Sequence, residues 1–474
     1  MSRVDTAWLR MDNDVNLMMI VGVWLLQPKV VYETLCSRVA EKLLKYERFR
    51  QKVVRDATGA PWWVEDEDFD IHRHVVRERL KRAKGQSERE ALQAHVAELA
   101  ATPLDPDRPL WQFRLIETYE GGSALIARVH HCIGDGIALI SVMMTITDGG
   151  SDPPVRKRRP AGNADADGFD WLSEAVLKPL GGLSAKAAEL VESGIARALD
   201  GLADPHKGIA DSIDGARTGA KVFGDLTALA MMADDSPTRL KGKPSGRKRV
   251  AWGEPIPLEQ VKTIGKALGC SINDVLLASV SGAIGDWLRA QGDDPEGKEI
   301  RAMVPVNLRP LDEAWKLGNR FGLAPLVLPI GIANPVERVY AVRARMNALK
   351  ASYQPLLAFA VLAVSGQLAK PLQDMILGLF SKKATAVMTN VPGPGVPLQF
   401  CGATLKQTMF WVPSSGDIGV GVSILSYGGG VQFGLITDEA LCPDPQAIVD
   451  CFEPEFEKLL LLSMMLPWGG RDEA

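Results

Sequence analysis

The strand–helix alternation of this chain stops at Asp148 and does not resume until about Arg249, and that break decides what the chain can fold into. "DGGSDPPVRKRRPAGNADADG" (148–168) has the Gly, Pro and charge content of an exposed linker. A helical but poorly patterned region, rich in Ala and Gly, follows from about Trp171 to Met232, and "DDSPTRLKGKPSGRKR" (234–249) is a second linker. Ahead of the break, "MMIVGVWLLQ" (18–27) reads as a buried strand. "VYETLCSRVAEKLLKYERFRQKVV" (31–54) reads as one amphipathic helix, because its apolar residues recur at helical spacing. "SALIARVHH" (123–131) is strand-like, and "IALISVMMTIT" (137–147), apolar on nearly every side, predicts a fully buried helix. Beyond the break, "SINDVLLASVSGAIGDWLRAQG" (271–292) predicts a helix and "IRAMVPVNLRP" (300–310) a strand. "DIGVGVSILSYGGGVQFGLITD" (417–438) predicts a hairpin turning at Gly428–Gly430. At 474 residues the chain exceeds one ordinary core, and no fixed-period repeat is present. The expectation is an α/β protein of two halves, 1–150 and 236–474, joined by a linker and helical crossover over 151–235.

Composition narrows the function. A formal net charge of −4 speaks against nucleic acid as a partner, since phosphate neutralisation asks for a basic surface. The cysteines (36, 132, 270, 401, 442 and 451) lie far apart with no C-x-x-C pair, which fits reduced thiols in the cytoplasm better than disulfides or zinc. No signal peptide is visible at the start. Two apolar runs, "PLLAFAVLAVSG" (355–366) and "LLLLSMMLPW" (459–468), are too short to span a bilayer. They read either as core-facing helix or as contact with a membrane surface. The basic cluster Arg156, Lys157, Arg158 and Arg159 reads as a solvated linker or as a contact for phosphate or anionic lipid.

The chemistry concentrates in "ARVHHCIGDGIAL" (127–139). The chain has six histidines, and His130 and His131 stand side by side at the end of a strand. Neighbouring strand residues face opposite ways, so one of the two can face a given cavity, which disfavours a shared metal. The other histidines (72, 74, 95 and 206) show no metal-ligand spacing. Cys132-Ile133-Gly134-Asp135-Gly136 suits a tight strand-to-helix bend, with Asp135 at the amino end of the next helix. One reading is a helix cap beside two satisfied histidines. The other is a general base, since imidazole titrates near neutral pH and takes a proton from a hydroxyl or thiol. No Gly-x-Ser-x-Gly elbow appears, so direct transfer between two bound substrates is favoured over a serine acyl-enzyme.

"HHCIGDG" (130–136) resembles the HHxxxDG motif of acyltransferases with the chloramphenicol-acetyltransferase-like fold. Within that superfamily the chain looks like the bacterial bifunctional wax ester synthase/diacylglycerol acyltransferases. "PLDPDRPLWQF" (103–113), "SINDVLLA" (271–278), "VPVNLRP" (304–310), "LGNRFG" (317–322) and "TNVPGP" (389–394) resemble further family segments in the same order. The resemblance implies two chloramphenicol-acetyltransferase-like domains joined by the crossover, with an active-site tunnel at their interface. It implies transfer of a long acyl chain from acyl-CoA, a substrate and not a resident cofactor. The acceptor is diacylglycerol, giving triacylglycerol, or a fatty alcohol, giving wax ester. It also implies a cytoplasmic protein held peripherally at the inner membrane or on lipid droplets. Condensation-type transfer from carrier-protein thioesters and non-catalytic lipid binding are the alternatives.

Carried over residue by residue, His131 is the general base and His130 its support. Asp135 points away from the tunnel and pairs with an arginine, for which Arg309 is the candidate, and Gly136 leaves room for close approach. Pro109, Leu110 and Trp111 contribute tunnel wall, the other reading of 108–111 being a turn with a buried tryptophan. Ser271 and Asp274 resemble a capping box, while Asn273 is placed to donate to an oxyanion; the two readings are compatible. In the early loop (4–24), "NDVNLMMI" stands where many members have a Pro-Met-His segment, so no role of that histidine transfers.

Overall fold

The computed structural model describes residues 1–150, 232–308, 317–350, 358 and 382–465. The crossover, Arg156–Arg159, Arg309 and the apolar run 355–366 fall outside these residues, apart from the main chain at Ala358 and Met232 at the crossover's end.

The first half opens with helix α1 (Arg3–Met11), strand β1 (Met19–Gln27) and helix α2 (Tyr32–Lys42). A two-stranded ribbon, β2 (Gln51–Arg55) and β3 (Pro61–Glu65), follows, then α3 (Ile71–His74), β4 (Val75–Glu78) and α4 (Glu88–Ala100). It closes with β5 (Trp111–Tyr119), β6 (Gly122–His130) and α5 (Gly136–Ile146). The second half holds β7 (Lys248–Trp252), β8 (Ile256–Pro257), α6 (Leu258–Leu268), α7 (Ile272–Ala290), β9 (Ile300–Asn307), β10 (Phe321–Leu328) and α8 (Pro335–Lys350). After these come β11 (Ala386–Pro392), β12 (Gln399–Phe400), β13 (Ala403–Trp411), β14 (Val420–Tyr427), β15 (Gly430–Asp438) and α9 (Gln446–Met464).

Two sheets organise these elements. The first runs β12-β13-β1-β6-β5-β4; the second runs β10-β9-β11-β14-β15-β7, with β8 also on β15. The first sheet is therefore completed by β13, which comes from far along the chain and lies antiparallel to β1 with Val21 opposite Trp411. In β1 alternate residues enter different cores, Ile20 and Leu26 on the α2/α5 side and Met19, Val21 and Val23 on the α4 side. That two-sided burial is why 18–27 reads as a continuous apolar run. Val250 and Trp252 of β7 pack into the α4-side core, so the second half covers one face of the first. The second sheet packs α6, α7, α8 and α9 against one core of its own.

The predicted hairpin is present: β14 and β15 turn through Gly428 and Gly429, whose φ of 58° and 86° suit the primed turns that match strand twist. Two expectations change. The helix predicted over 31–54 ends at Lys42, although Leu43, Tyr46 and Phe49 remain buried at helical spacing through two 3-10 turns. The segment then turns extended, because Val53 and Val54 suit a strand and Asp56 accepts from the Thr58 and Ala60 N–H groups to close a hairpin. Helix α5 is not fully buried either. It turns Leu139, Val142 and Ile146 into the core, while Ile137, Ile140, Met143 and Met144 are half-buried.

Among the described residues no single helix is long and apolar enough to cross a membrane. The run beginning at Leu459 splits: Leu459 is in the core, while Leu461 (64% exposed), Leu462, Met464 and Met465 face outward.

Candidate active site

Strand β6 ends at His130, and its last residues place both histidines against the start of the chain. The His130 N–H donates to the Leu110 carbonyl (2.9 Å), and the His131 N–H donates to the Met18 carbonyl (2.7 Å). The early loop that lacks a histidine here thus meets the main chain of His131 and the ring of His130. Met18 holds the main chain of His131, and Asp12, which accepts the Met18 N–H (2.6 Å), lies 3.8 Å from His130 Nε2.

The two side chains part, although β6 ends at His130 and His131 already lies in the turn. His130 folds back on its own turn, its Nδ1 accepting the Cys132 N–H at 3.1 Å. Burial, the strongest influence on this ring, lowers its pKa; Cys132 and Asp12 outweigh it, and the balance lies at about 10. The Cys132 bond needs a bare Nδ1, so His130 takes that extra proton only by giving the bond up.

His131 points instead into the seam between the halves. Its ring stacks on Trp8 of α1 (4.1 Å, 12°) and lies against Phe321 of β10 (5.4 Å, 38°). Its Nδ1 is 2.9 Å from Asn319 Oδ1. The Asn319 amide nitrogen donates to Asp5 Oδ1 (2.8 Å) and to the His131 carbonyl (2.8 Å), and the Asn319 N–H donates to the same Asp5 oxygen (3.2 Å). Arg48 approaches the other oxygen of Asp5 at 3.7 Å. Burial lowers the His131 pKa to about 4; bonds to its own main chain and to Asn319 oppose this, and His130 adds to it. Asp5 moves the other way: burial raises its pKa against Asn319, Ser2 and Arg48.

Asp135 caps α5, accepting the Ala138 N–H at 2.9 Å, and its other oxygen accepts the Arg320 N–H at 3.0 Å. The Asp135 N–H donates to the Gly318 carbonyl and the Gly318 N–H to the Ile133 carbonyl, across a bridge between Gly134 and Gly318. Gly318 has φ 112°, which glycine adopts without strain, and this lets 317–320 lie flat along the histidine turn. Gly136 is different in kind. Its φ is ordinary, and among the described residues a Cβ there would meet nothing within 4 Å, so neither conformation nor described packing asks for glycine.

The other predicted residues make contacts of their own. Leu110 touches the histidine turn through its carbonyl, and Trp111 is buried in the first-half core with its indole N–H on the Phe49 carbonyl (2.8 Å). Pro109 directly precedes them; the Trp111 N–H reaches its carbonyl at 2.8 Å. The capping box is formed, since Ser271 Oγ accepts the Asp274 N–H and the Asp274 carboxylate accepts the Ser271 N–H. Asn273 accepts from Asn390 of β11 at 2.9 Å. Asp5, Trp8, Asn319 and Phe321 have no assigned role in the sequence reading. "LGNRFG" resembles a family segment and contains two of them, but that resemblance names no contact to His131.

Comparison with known proteins gives the family and the fold. Residues 1–276 match the wax ester synthase/diacylglycerol acyltransferase catalytic domain, and residues 317–460 match the WS/DGAT C-terminal domain. A probable diacylglycerol O-acyltransferase of Mycobacterium tuberculosis is 27% identical over 98% of this chain and 96% of its own length. A putative one from the same organism is 29% identical over 85% and 77%. In three dimensions the chain is similar to the wax ester synthase/diacylglycerol acyltransferase from Marinobacter aquaeolei (TM-score 0.64, 22% identity, 97% and 98% covered). It is also similar to the first condensation domain of the calcium-dependent antibiotic synthetase (TM-score 0.55, 15% identity, 98% and 96% covered).

Proposed function

The chain belongs to the wax ester synthase/diacylglycerol acyltransferase family and is an acyltransferase, and from that premise we propose that it moves a long acyl chain from acyl-CoA to a hydroxyl of diacylglycerol or a fatty alcohol. His131 is the general base. The observation that carries this is a buried imidazole kept unprotonated near neutral pH, with Nδ1 occupied by Asn319, so that Nε2 is the nitrogen left to act.

Nε2 takes the proton of the acceptor hydroxyl as its oxygen bonds to the thioester carbon. The tetrahedral intermediate then collapses, the carbon–sulfur bond breaks, and the leaving thiolate takes the proton from the imidazolium. No covalent acyl-enzyme forms and the base is regenerated. Holding both substrates at one buried base replaces encounter in solution by positioning. Asp135 holds the turn to 317–320, with Arg309 as its charge partner. Asn273 supplies a donor for the developing oxyanion. The open space at Gly136, at the amino end of α5, admits the reacting groups beside His131. Pro109, Leu110 and Trp111 back the site. The outward-facing Leu461, Met464 and Met465 support peripheral contact with a lipid surface, where such acceptors reside.

The test is release of free CoA from palmitoyl-CoA with dioleoylglycerol, hexadecanol or no acceptor, by the native chain and by His131→Ala. Acceptor-dependent release lost in the variant is expected, and the two acceptors rank the products. Equal low release by both proteins would overturn His131 as the base.

A further inference from the structure

The seam between the halves contains a chain of hydrogen bonds whose direction can be read from donor counting. The atom of the Asn319 amide that faces Asp5 lies 2.8 Å from a carboxylate oxygen and 2.8 Å from the His131 main-chain carbonyl. A carbonyl oxygen only accepts, so that atom is the NH2 nitrogen, and both its hydrogens are used. Asp5 Oδ1 takes a second bond from the Asn319 main chain, which marks it as an acceptor whatever its charge. The remaining amide atom, Oδ1, only accepts, and its neighbour at 2.9 Å is His131 Nδ1. The proton of the neutral ring therefore resides on Nδ1.

We infer that Asp5 and Asn319 are positioning residues, a relay that locks His131 in the Nδ1–H tautomer and so leaves Nε2 bare for the acceptor's proton. The relay spans the molecule: Asp5 belongs to α1 and Asn319 to the segment before β10, 314 residues apart. The base is complete only when 317–320 is docked on the histidine turn. The amide also explains its own identity, because an aspartate at 319 would face the Asp5 carboxylate where Asn319 donates. Other charges close by are Arg48, on the far oxygen of Asp5, and His130, next in the chain.

This inference rests on the reading of His131 as base, and two readouts separate their failures. In protein labelled with 15N-histidine, two-bond proton–nitrogen correlations report the tautomer of His131, identified by its loss in His131→Gln. The native chain should show Nδ1–H. Asn319→Leu, of similar size but without an acceptor, leaves the ring only its bond to its own main chain, so it should raise the share of the other tautomer and lower kcat about 10–100-fold, with KM for palmitoyl-CoA within about twofold. Asp5→Leu should act in the same direction, and Asp5→Asn, which keeps an acceptor oxygen, should restore both readouts. Asn319→Asp keeps the acceptor for Nδ1–H and adds charge, so the tautomer should persist while the acid limb of the kcat profile moves upward in pH. Unchanged tautomer and kcat in folded Asn319→Leu would overturn the relay, as would an Nε2–H ring in the native chain. If the native chain transfers no acyl group, the base reading falls, and the tautomer measurement still decides the relay.

Discussion

Two buried histidines are each held between aromatic rings, and their contrast shows what makes a base. His74, at the end of α3, stacks between Phe69 (5.0 Å, 7°) and Trp111 (4.6 Å, 21°). Its Nδ1 bonds the Trp111 carbonyl at 2.8 Å, which fixes the same tautomer that Asn319 fixes in His131, and burial lowers its pKa likewise. Burial, stacking and tautomer therefore do not distinguish the two. The differences lie in surroundings. Among the described residues, His74's partners come from within the first half, and its buried Nε2 has no hydrogen-bond partner. The His131 ring instead joins α1, β6 and the segment before β10, and the helix that follows its turn begins at an unfilled glycine. Position at a seam turns an ordinary buried imidazole into a candidate base.

The largest expected effect sets the two directly against each other. His131→Ala should lower acceptor-dependent CoA release on the order of 10³-fold while moving the unfolding midpoint little. His74→Ala should cost about 2–4 kcal/mol of stability, through the lost stack and the cavity left behind, with kcat of the folded protein within about threefold. A paired set of urea titrations and turnover rates checks both. Reversal of the pattern would dissolve the contrast.

Acidification comes next. His131 moves from an ordinary 6.5 to about 4 on folding, so the unfolded chain binds the extra proton between those values. Stability should then fall as pH drops from about 6.5 to about 4, by about 3 kcal/mol from this group, and the loss is complete below 4. His74 is lowered too and adds a slope of the same sign. Urea midpoints at pH 6.5 and 4.5 should differ less in His131→Gln than in the native chain, and equal differences would show that His131 does not titrate as described.

Gly136 gives a smaller and oppositely signed pair of effects. Alanine at this helical position should raise stability by about 0.5–1 kcal/mol, since the backbone is ordinary and the space is open. If the space at Gly136 is the one proposed to admit the reacting groups, valine there should lower kcat about tenfold. A Gly136→Val protein with unchanged turnover would place the reacting groups elsewhere.

Which parts of this site were legible in the sequence follows from the range of the interactions. His130, His131 and Asp135 sit on one strand-to-helix bend, where parity and capping act over a few residues; the Ser271–Asp274 box is equally local. Asn319 reaches His131 across 188 residues, and the resemblance marked its segment without a partner. The end of helix α2 inside 31–54 is hidden for a related reason, since 3-10 turns preserve helical spacing of buried residues while ending the α-helix. β13 enters the first sheet from beyond residue 400, a pairing that no pattern of alternation announces. The half-buried side of α5 is not legible in its sequence, because an all-apolar helix says nothing about which face meets the core.

The smallest effect tests the stacks themselves. Phe69→Leu and Phe321→Leu each remove one aromatic face from a buried imidazole and leave a side chain of similar volume. Such contacts are worth about 0.5–1.5 kcal/mol. At His74 the whole cost should appear as stability, because that ring does nothing but pack. At His131 the ring becomes an imidazolium in the transition state, and an aromatic face favours the charged form more than the neutral one. Phe321→Leu should therefore lower kcat about two- to fivefold, with a loss of stability no larger than that of Phe69→Leu. Phe321 lies tilted at 38° whereas Trp8 is nearly parallel, so Trp8 keeps the larger share of that stabilisation and bounds the effect. Equal kcat in the two variants would mean that the aromatic ring at 321 only packs, as it does at 69.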